Sequence, residues 1–293
     1  MKNIITLLSF ILIITSCDVV EGPYVIETGA IIPSDTNTYV KKILIEDFTG
    51  HTCQNCPNAA RELEVIHDLY GDQIIGMALH VSNFADPLTG SGKYEYDFRT
   101  QWGDSWSVFF GISALPIGMI NRIGYPTNGH KFGKNEWLTA VITELEKETD
   151  FGISITTNNS GNEGLITINS EILNNINGDY KLVVCLTESN IINWQQDGSV
   201  DVADYEHNHA LRTVLIDESL SSSSNYNLGD EITTAINFNL NTLEQSNNNY
   251  SNAIGGVGNV VEWDASNMSV VAYIYDNTTQ EILQAEESQL ITK

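Results

Sequence analysis

Basic residues are scarce in this chain of 293 residues: 13 Lys and Arg stand against 38 Asp and Glu, and the formal net charge is −25. A surface of that sign repels polyanions, so nucleic acid is not an expected partner. It also repels anionic lipid, so attachment to a membrane has to come from something other than a basic patch.

Apolar runs long enough to span a bilayer are also absent. The run behind Met1 and Lys2 ends near Ile14, and a short basic start before a brief apolar run is typical of a signal peptide. Residues 1–16 are therefore predicted to be a signal peptide, which takes the protein out of the cytoplasm. No later segment is apolar enough to span.

The end of this run, Ile14 to Cys17, resembles the lipobox of bacterial lipoproteins. The resemblance implies that Cys17 is acylated and becomes the new N-terminus, so that its acyl chains hold the protein on a membrane. Residues 17–38 mix Gly, Pro, Ser, Thr and acids, which predicts a lipidated N-terminus followed by a tether. The alternative is an ordinary secretory signal in which Cys17 has no role.

Cysteine is rare, with four in the whole chain. Cys185 lies in an apolar run and is predicted to be a buried free thiol. Cys53 and Cys56 form a C-x-x-C pair between an apolar strand and a helix start, where helix-terminal N–H groups stabilise a thiolate, as disulfide exchange requires. Zinc would need two further ligands, and the only nearby candidates, at positions 51, 67 and 80, are single histidines outside any second paired motif.

The residues around the pair predict a β-α-β unit. The run Ile43–Ile45 does not alternate with polar residues, which indicates a central strand covered on both faces. Pro57 fits the first turn of a helix, and Gly71 closes that helix. The second strand is predicted at Ile74–Val81, parallel to the first.

An aromatic-rich stretch follows, and residues 83–110 are predicted to be an inserted helical region whose aromatic side chains pack on the sheet. The alternative is that they line a groove near the cysteines. A strand at Ile117–Ile120, a turn-rich loop and an amphipathic helix at Glu136–Lys147 complete this half.

Two stretches, ILIEDFTGHTCQNC and FGISALPIGMIN, resemble the signature stretches of the thioredoxin family over about Lys41 to Glu148. The resemblance implies a thioredoxin-like domain, with a three-layer α/β/α fold, at residues 39–149. Cys53 and Cys56 match the redox pair of that family, Asp47 matches its buried acid, and Pro116 matches its cis-proline.

The resemblance implies a role for each of these residues. Cys53, at the exposed end of the turn, would be the attacking thiolate, and Cys56 would resolve the mixed disulfide. Asp47, desolvated beneath the pair, would accept the proton of Cys56. Pro116 would place backbone beside the sulfurs, where a substrate strand could pair.

The sequence departs from the thioredoxin pattern at the pair itself. Thr52 stands where that family has Trp, and Gln54 and Asn55 stand between the cysteines instead of Gly-Pro. These departures concern redox potential and substrate. A structural disulfide without catalytic role stays open as the alternative.

After Asp150 the sequence changes to short alternating segments with turn signals between them. Residues 150–293 are therefore predicted to form an all-β, immunoglobulin-like sandwich. The seven predicted strands are Phe151–Thr157, Gly164–Leu173, Tyr180–Glu188, His209–Ile216, Glu231–Leu240, Ser269–Tyr275 and Gln280–Leu290.

This second half has no cofactor motif, and no cofactor is predicted for the chain. His207 and His209 are spaced to share one face of a strand, which makes them weak candidates for a metal, but a hydrogen-bonded junction between loop and strand is the favoured interpretation. Asp197, Gly198, Ser199 and Asp201 suggest a calcium loop, but the spacing lacks the terminal bidentate acid.

The whole chain resembles the outer-membrane-protein-28-related lipoproteins of Bacteroidota. The resemblance rests on the lipobox, on the form E-D-F-T-G-x-x-C-x-N-C-P, and on Tyr205, His207, Asn208, His209, Leu211 and Arg212. It implies an outer membrane lipoprotein of the cell envelope, on the periplasmic or surface face. The predicted function is thiol-disulfide exchange on exported or surface proteins, and the alternative is a binding or adhesion lipoprotein whose cysteine pair is a structural disulfide.

Overall fold

A computed structural model describes residues 39–258 and 262–291 of the chain. The predicted signal peptide, Cys17 and the tether lie outside these residues. Within the described ranges, no helix is both long and apolar enough to cross a membrane.

The first half of the fold is the predicted β-α-β unit with two further helices and a third strand. Strands β1 and β2 are parallel, with α1 as the crossover, and β3 pairs antiparallel with β1. The elements are β1 Ile43–Thr49, α1 Cys56–Tyr70, β2 Ile74–His80, α2 Gln101–Phe109, β3 Ile117–Ile120 and α3 Trp137–Leu145.

Strand β1 is the centre of this half, and all seven of its residues are buried. Ile43 and Ile45 pack in a cluster with side chains of α1 and α3, whereas Leu44 and Phe48 pack with side chains of α2. Successive side chains of a strand point to opposite faces. The prediction of a central strand covered on both faces is therefore confirmed.

The helical insertion expected at residues 83–110 is only partly helical. Helix α2 occupies its last turns, but residues 83–100 are irregular. Pro87, Gly90 and Gly92 interrupt helix formation there, since proline lacks the N–H and glycine favours turns. The aromatic side chains do pack inward, because Tyr96, Phe98, Trp106 and Phe110 are each at least nine-tenths buried.

The second half contains all seven predicted strands, and each begins and ends within a few residues of its predicted bounds. It also contains elements that were not predicted. The missed elements are the hairpin β8–β9, helix α4 and two short strands. In order the elements are β4 Phe151–Ser160, β5 Glu163–Ile172, β6 Ile176–Asn177, β7 Tyr180–Glu188, β8 Ile191–Asp197, β9 Val200–His207, β10 Ala210–Ser219, β11 Asn225–Tyr226, β12 Glu231–Asn239, α4 Leu240–Ala253, β13 Met268–Asp276 and β14 Ile282–Gln289.

Strands from both halves share one mixed sheet, in the order β14-β13-β7-β10-β2-β1-β3. The two halves meet where Ala210 of β10 pairs in parallel with Ala78 of β2, and the Ala78 amide donates to the His209 carbonyl at 2.8 Å. The expected all-β sandwich with two sheets of its own is thus corrected. The division of the chain near residue 150 stays a prediction, but the main sheet does not follow it.

A smaller antiparallel sheet, β12-β5-β4, lies against one end of the main sheet. Side chains such as Ile153 and Ile166 from the small sheet pack in one cluster with Val184 and Val270 from β7 and β13. Two sheets do pack face to face, as the alternating pattern predicted. One of these two sheets, however, is the main sheet, whose other end carries the cysteine turn.

Candidate functional site

The cysteine turn joins the end of β1 to the start of α1. The Cys53 amide donates to the Gly50 carbonyl at 3.0 Å, and the Cys56 amide donates to the Cys53 carbonyl at 3.2 Å. Cys53 and Cys56 are joined in a disulfide, with their Cα atoms 5.4 Å apart. Helix α1 begins at Cys56 with Pro57 in its first turn, as predicted.

Both cysteines are buried. Cys53 is 3% exposed and Cys56 is 2% exposed, whereas Gln54 and Asn55 between them are exposed. The prediction that Cys53 lies at the exposed end of the turn is therefore wrong. The reason lies outside the thioredoxin-like stretch, because residues near 195 cover this turn.

The hairpin β8–β9 lies over the cysteine turn and bonds to its backbone. The Gln196 amide donates to the His51 carbonyl at 2.8 Å, and the Gly198 amide donates to the Gln54 carbonyl at 2.9 Å. The buried side chain of Gln195 donates through Nε2 to the carbonyl oxygens of residues 50 and 53, both at 3.3 Å. These hydrogen bonds fix the hairpin over the cysteine turn.

Ion pairs fasten the tip of the hairpin to the rest of the protein. Arg61 of α1 bonds through two guanidinium nitrogens to the Asp197 carboxylate, at 2.9 and 3.2 Å. Lys93 lies 2.8 Å from Asp201, and the Tyr94 hydroxyl donates to the same carboxylate at 2.6 Å. The two acids of the suggested calcium loop are thus engaged by cations of the chain itself.

A cavity of about 150 Å³ lies beside the disulfide, between α1 and the hairpin. Cys56 and Asp47 line it from the first half of the chain, and Tyr205 and His207 line it from β9. Helix α1 forms one wall, with apolar side chains such as Leu63 and charged ones such as Glu64. The cavity brings together the predicted resolving cysteine, the predicted buried acid and residues more than 140 positions later in the chain.

Asp47 is the most perturbed acid of this cavity. It is 3% exposed, and its Oδ1 atom has no hydrogen-bond partner among the described residues. Burial away from water disfavours the carboxylate and raises the pKa of Asp47 to about 7. The group can therefore both accept and release a proton near neutral pH.

Three buried histidines and Phe98 form an aromatic cluster behind the turn. The rings of His80 and Phe98 stack at 4.3 Å between centroids, and His207 lies 4.4 Å from Phe98 and 5.5 Å from His80. Burial lowers the pKa of His51, lowers that of His80 well below its usual value, and lowers that of His207 to about 3. These rings are neutral at ordinary pH.

The described residues contain no group of three or more His, Cys, Asp or Glu side chains arranged to hold a metal ion. His209 does not share a strand face with His207, because it lies in the link between β9 and β10 with a φ of 56°. The expectation that these two side chains share one strand face is thus wrong. In the link between the two strands the His209 amide donates to the Ser189 hydroxyl at 3.0 Å.

Pro116 follows a cis peptide bond after Leu115, as the resemblance implied. It lines a shallow groove together with Asn55 and Asn58 of the cysteine turn and helix α1, and with residues 133–136. Pro116 therefore lies next to Asn55 of the cysteine turn.

The sequence model of the family described as outer membrane protein Omp28 matches residues 104–292. The chain belongs to the Omp28 family of outer membrane proteins. This confirms both the family resemblance and the predicted location in the outer membrane. The matched residues include Pro116 and the hairpin but not the cysteine pair, so family membership alone assigns no chemistry to Cys53 and Cys56.

Two of the solved structures that match resemble this Omp28-family chain in fold. HBP35 of Porphyromonas gingivalis aligns with a TM-score of 0.61 at 14% identity, over 87% of this chain and 77% of that one. A protein of Agrobacterium tumefaciens aligns with a TM-score of 0.50 at 12% identity, over 87% of this chain and 97% of its own. A domain of the outer membrane lipoprotein Omp28 from P. gingivalis shares 15% identity over 48% of this chain and 88% of its own, with a TM-score of 0.30. No curated protein sequence matches significantly.

The site of this Omp28-family protein includes residues that the sequence reading missed, above all Gln195 and Tyr205. Both belong to the hairpin β8–β9, whose turn contains Asp197 and Gly198. The two residues between the strands, Gly198 and Ser199, form a Gly-Ser pair, which is a hairpin signal that was available in the sequence. Its contact with residues 50–54 was not, because no local pattern encodes a pairing over that separation.

Proposed function

We propose that this Omp28-family protein carries out thiol-disulfide exchange with exported or surface proteins at Cys53 and Cys56. In this proposal residues 39–149 form a thioredoxin-like unit, and acyl chains on Cys17 hold the protein on the outer membrane. The observation that carries the proposal is Asp47: a buried acid with a pKa of about 7 lines the same cavity as Cys56. A structural disulfide has no use for such a group, whereas exchange is assisted by a proton donor and acceptor beside the resolving thiol.

The exchange moves two electrons and two protons. Starting from the disulfide, a thiolate of a partner dithiol attacks the Cys53 sulfur, the Cys53–Cys56 bond breaks, and Cys56 leaves as a thiolate that takes the Asp47 proton. The partner's second thiol, once deprotonated, attacks its own mixed-disulfide sulfur and releases Cys53. The partner is oxidised to a disulfide, the pair is reduced to a dithiol, and the reverse steps reduce a partner disulfide.

Asp47 fits the proton step because its environment favours neither protonation state strongly near pH 7. A buried thiolate at Cys56 is costly, and a proton donor in the same cavity removes that charge. Pro116 supplies backbone beside the pair and lines the groove next to Asn55, where an extended partner segment could lie.

Partner trapping tests the proposal. Replacement of Cys56 with Ser is expected to accumulate mixed disulfides with envelope proteins through Cys53, because the resolving thiol is gone. Replacement of Cys53 with Ser is expected to abolish exchange. A Cys185→Ser variant serves as the control, because Cys185 is a fully buried free thiol elsewhere in the sheet. If no mixed disulfide accumulates and neither variant changes the rate of exchange, the proposal is refuted.

A second candidate is a binding or adhesion lipoprotein in which Cys53 and Cys56 form a structural disulfide. The burial of both cysteines beneath the hairpin favours it. The reduction potential discriminates between the two functions. A pair below about −300 mV resists the glutathione pool and indicates a structural bond, whereas a higher potential is typical of an exchanging pair.

A further inference from the structure

The hairpin β8–β9 is attached to the protein in an uneven way. Its two strands form a sheet of their own, with no ladder to another strand among the described residues. At its base, Ile191 and His207 are buried against the cluster around Phe98. Towards its far end, Val200 is 58% exposed. The base is therefore fixed by buried contacts, whereas the tip is held by hydrogen bonds to the cysteine turn, by two ion pairs and by the hydroxyl of Tyr94.

The contacts at the tip are of the kind that open locally. They include two backbone hydrogen bonds, the Gln195 amide and the two ion pairs at Asp197 and Asp201. The Tyr94 hydroxyl on Asp201 and the packing of Tyr94 and Lys93 against the Trp194 ring add to them. Exposed ion pairs contribute little each, and segments with few buried apolar contacts have low opening free energies. The same contacts cover two cysteines that are at most 3% exposed.

We propose that the hairpin β8–β9 is a cap whose opening controls access to the Cys53–Cys56 disulfide. The proposal rests on the proposed exchange function, because a cap over a purely structural disulfide would control nothing. In the closed state described here no partner thiolate can reach either sulfur in line. In the open state the tip leaves while Ile191 and His207 keep the base in place.

The partner that replaces the hairpin is an extended polypeptide segment. The hairpin amides of Gln196 and Gly198 donate to the carbonyl oxygens of His51 and Gln54, which flank Cys53. Once the tip leaves, these two carbonyls lack donors, and the backbone of a strand-like segment supplies amides in the same manner. The closed hairpin therefore occupies the binding site of the partner segment, and the partner binds only after the hairpin opens.

The test compares how fast the disulfide of the full chain is reduced by a small phosphine, measured by alkylation of the released thiols. Loss of an exposed ion pair shifts an opening equilibrium by about two- to fivefold, so Asp197→Asn is expected to accelerate reduction by that factor. The double variant Asp197→Asn with Asp201→Asn is expected to be reduced about tenfold faster than the wild type. Asp204→Asn is the matched control, since Asp204 is an exposed acid of the same hairpin with no ion pair among the described residues.

Hydrogen exchange at the Gln196 and Gly198 amides gives an independent measure of opening and is expected to accelerate in the double variant but not in the control. Reduction of the double variant at the wild-type rate would overturn the proposal, whether or not these amides exchange faster. Because phosphine reduction needs no protein partner, this result is separate from the trapping experiment. If the variants change the rate of phosphine reduction but the protein traps no partner, the exchange function is refuted. The effect of the hairpin on access to the disulfide has then still been measured.

Discussion

The clearest consequence of a buried, unpartnered Asp47 is a dependence of stability on pH. The unfolded carboxyl titrates near 3.8, whereas burial raises the pKa of folded Asp47 to about 7. Between these values the folded protein binds the proton more tightly than the unfolded chain does. Asp47 therefore makes no pH-dependent contribution below about pH 4, destabilises the fold progressively as the pH rises, and reaches its full cost above about pH 7.

The size of this cost follows from the shift. A difference of about three pKa units corresponds to about 4 kcal/mol at 1.36 kcal/mol per unit. Replacement of Asp47 with Asn keeps the shape and removes the charge. The free energy of unfolding of Asp47→Asn relative to wild type is thus expected to rise by about 4 kcal/mol between pH 4 and pH 8. Any cost of burying the amide is the same at every pH and cancels in this comparison.

Urea unfolding of both proteins with the disulfide intact, at four or five pH values from 4 to 8.5, measures this difference. Asp204→Asn is the control, because it removes one exposed carboxylate of equal charge. A difference between Asp47→Asn and wild type that stays constant over this range would show that Asp47 is ionised at low pH in the fold. The assignment of Asp47 as the proton acceptor for Cys56 would then fail.

Two further predictions concern other buried groups. Burial lowers the pKa of His207 to about 3. The wild type is therefore expected to lose about 1.4 kcal/mol of stability per pH unit through His207 as the pH falls from 6.5 towards 3. In acid unfolding, the free energy of unfolding of His207→Phe should fall less steeply with pH than that of the wild type. Arg122 is 2% exposed and bonded to Glu46 at 2.7 and 2.8 Å, so Arg122→Met is expected to lower the free energy of urea unfolding by about 3–5 kcal/mol by leaving a buried carboxylate unpaired. The double variant with Glu46→Gln should recover part of that loss, and equal losses in both variants would contradict the assignment.

Local patterns predicted most of the elements but not their assembly. The β-α-β unit followed from the apolar run of β1 and from Pro57 and Gly71 at the ends of α1. Helix α4 was missed because its sequence, LNTLEQSNNNYSNA, is rich in weak helix formers, and its helical state depends on Asn239 as N-cap and on the burial of Leu240 and Ser251.

The site was predictable in its chemistry and not in its exposure. Cys53, Cys56, Asp47 and Pro116 were found from spacing and resemblance, and the structure brings the first three together. The two cysteines are buried beneath the hairpin, whose base packs through Ile191 and His207. The two halves of the sheet meet there at Ala78 and Ala210, two small residues without a periodic signal.

The shared sheet has a consequence for how the protein unfolds and how it can be divided. Residues 39–149 expressed alone would leave the free edge of β2 and the apolar face beneath the hairpin open to water, and exposed strand edges promote aggregation. The cysteine turn is therefore not a transferable module, and the described residues are expected to melt in one cooperative transition. Reduction of the Cys53–Cys56 disulfide would then change the stability of the fold as far away as β14, because every strand between them belongs to the same sheet.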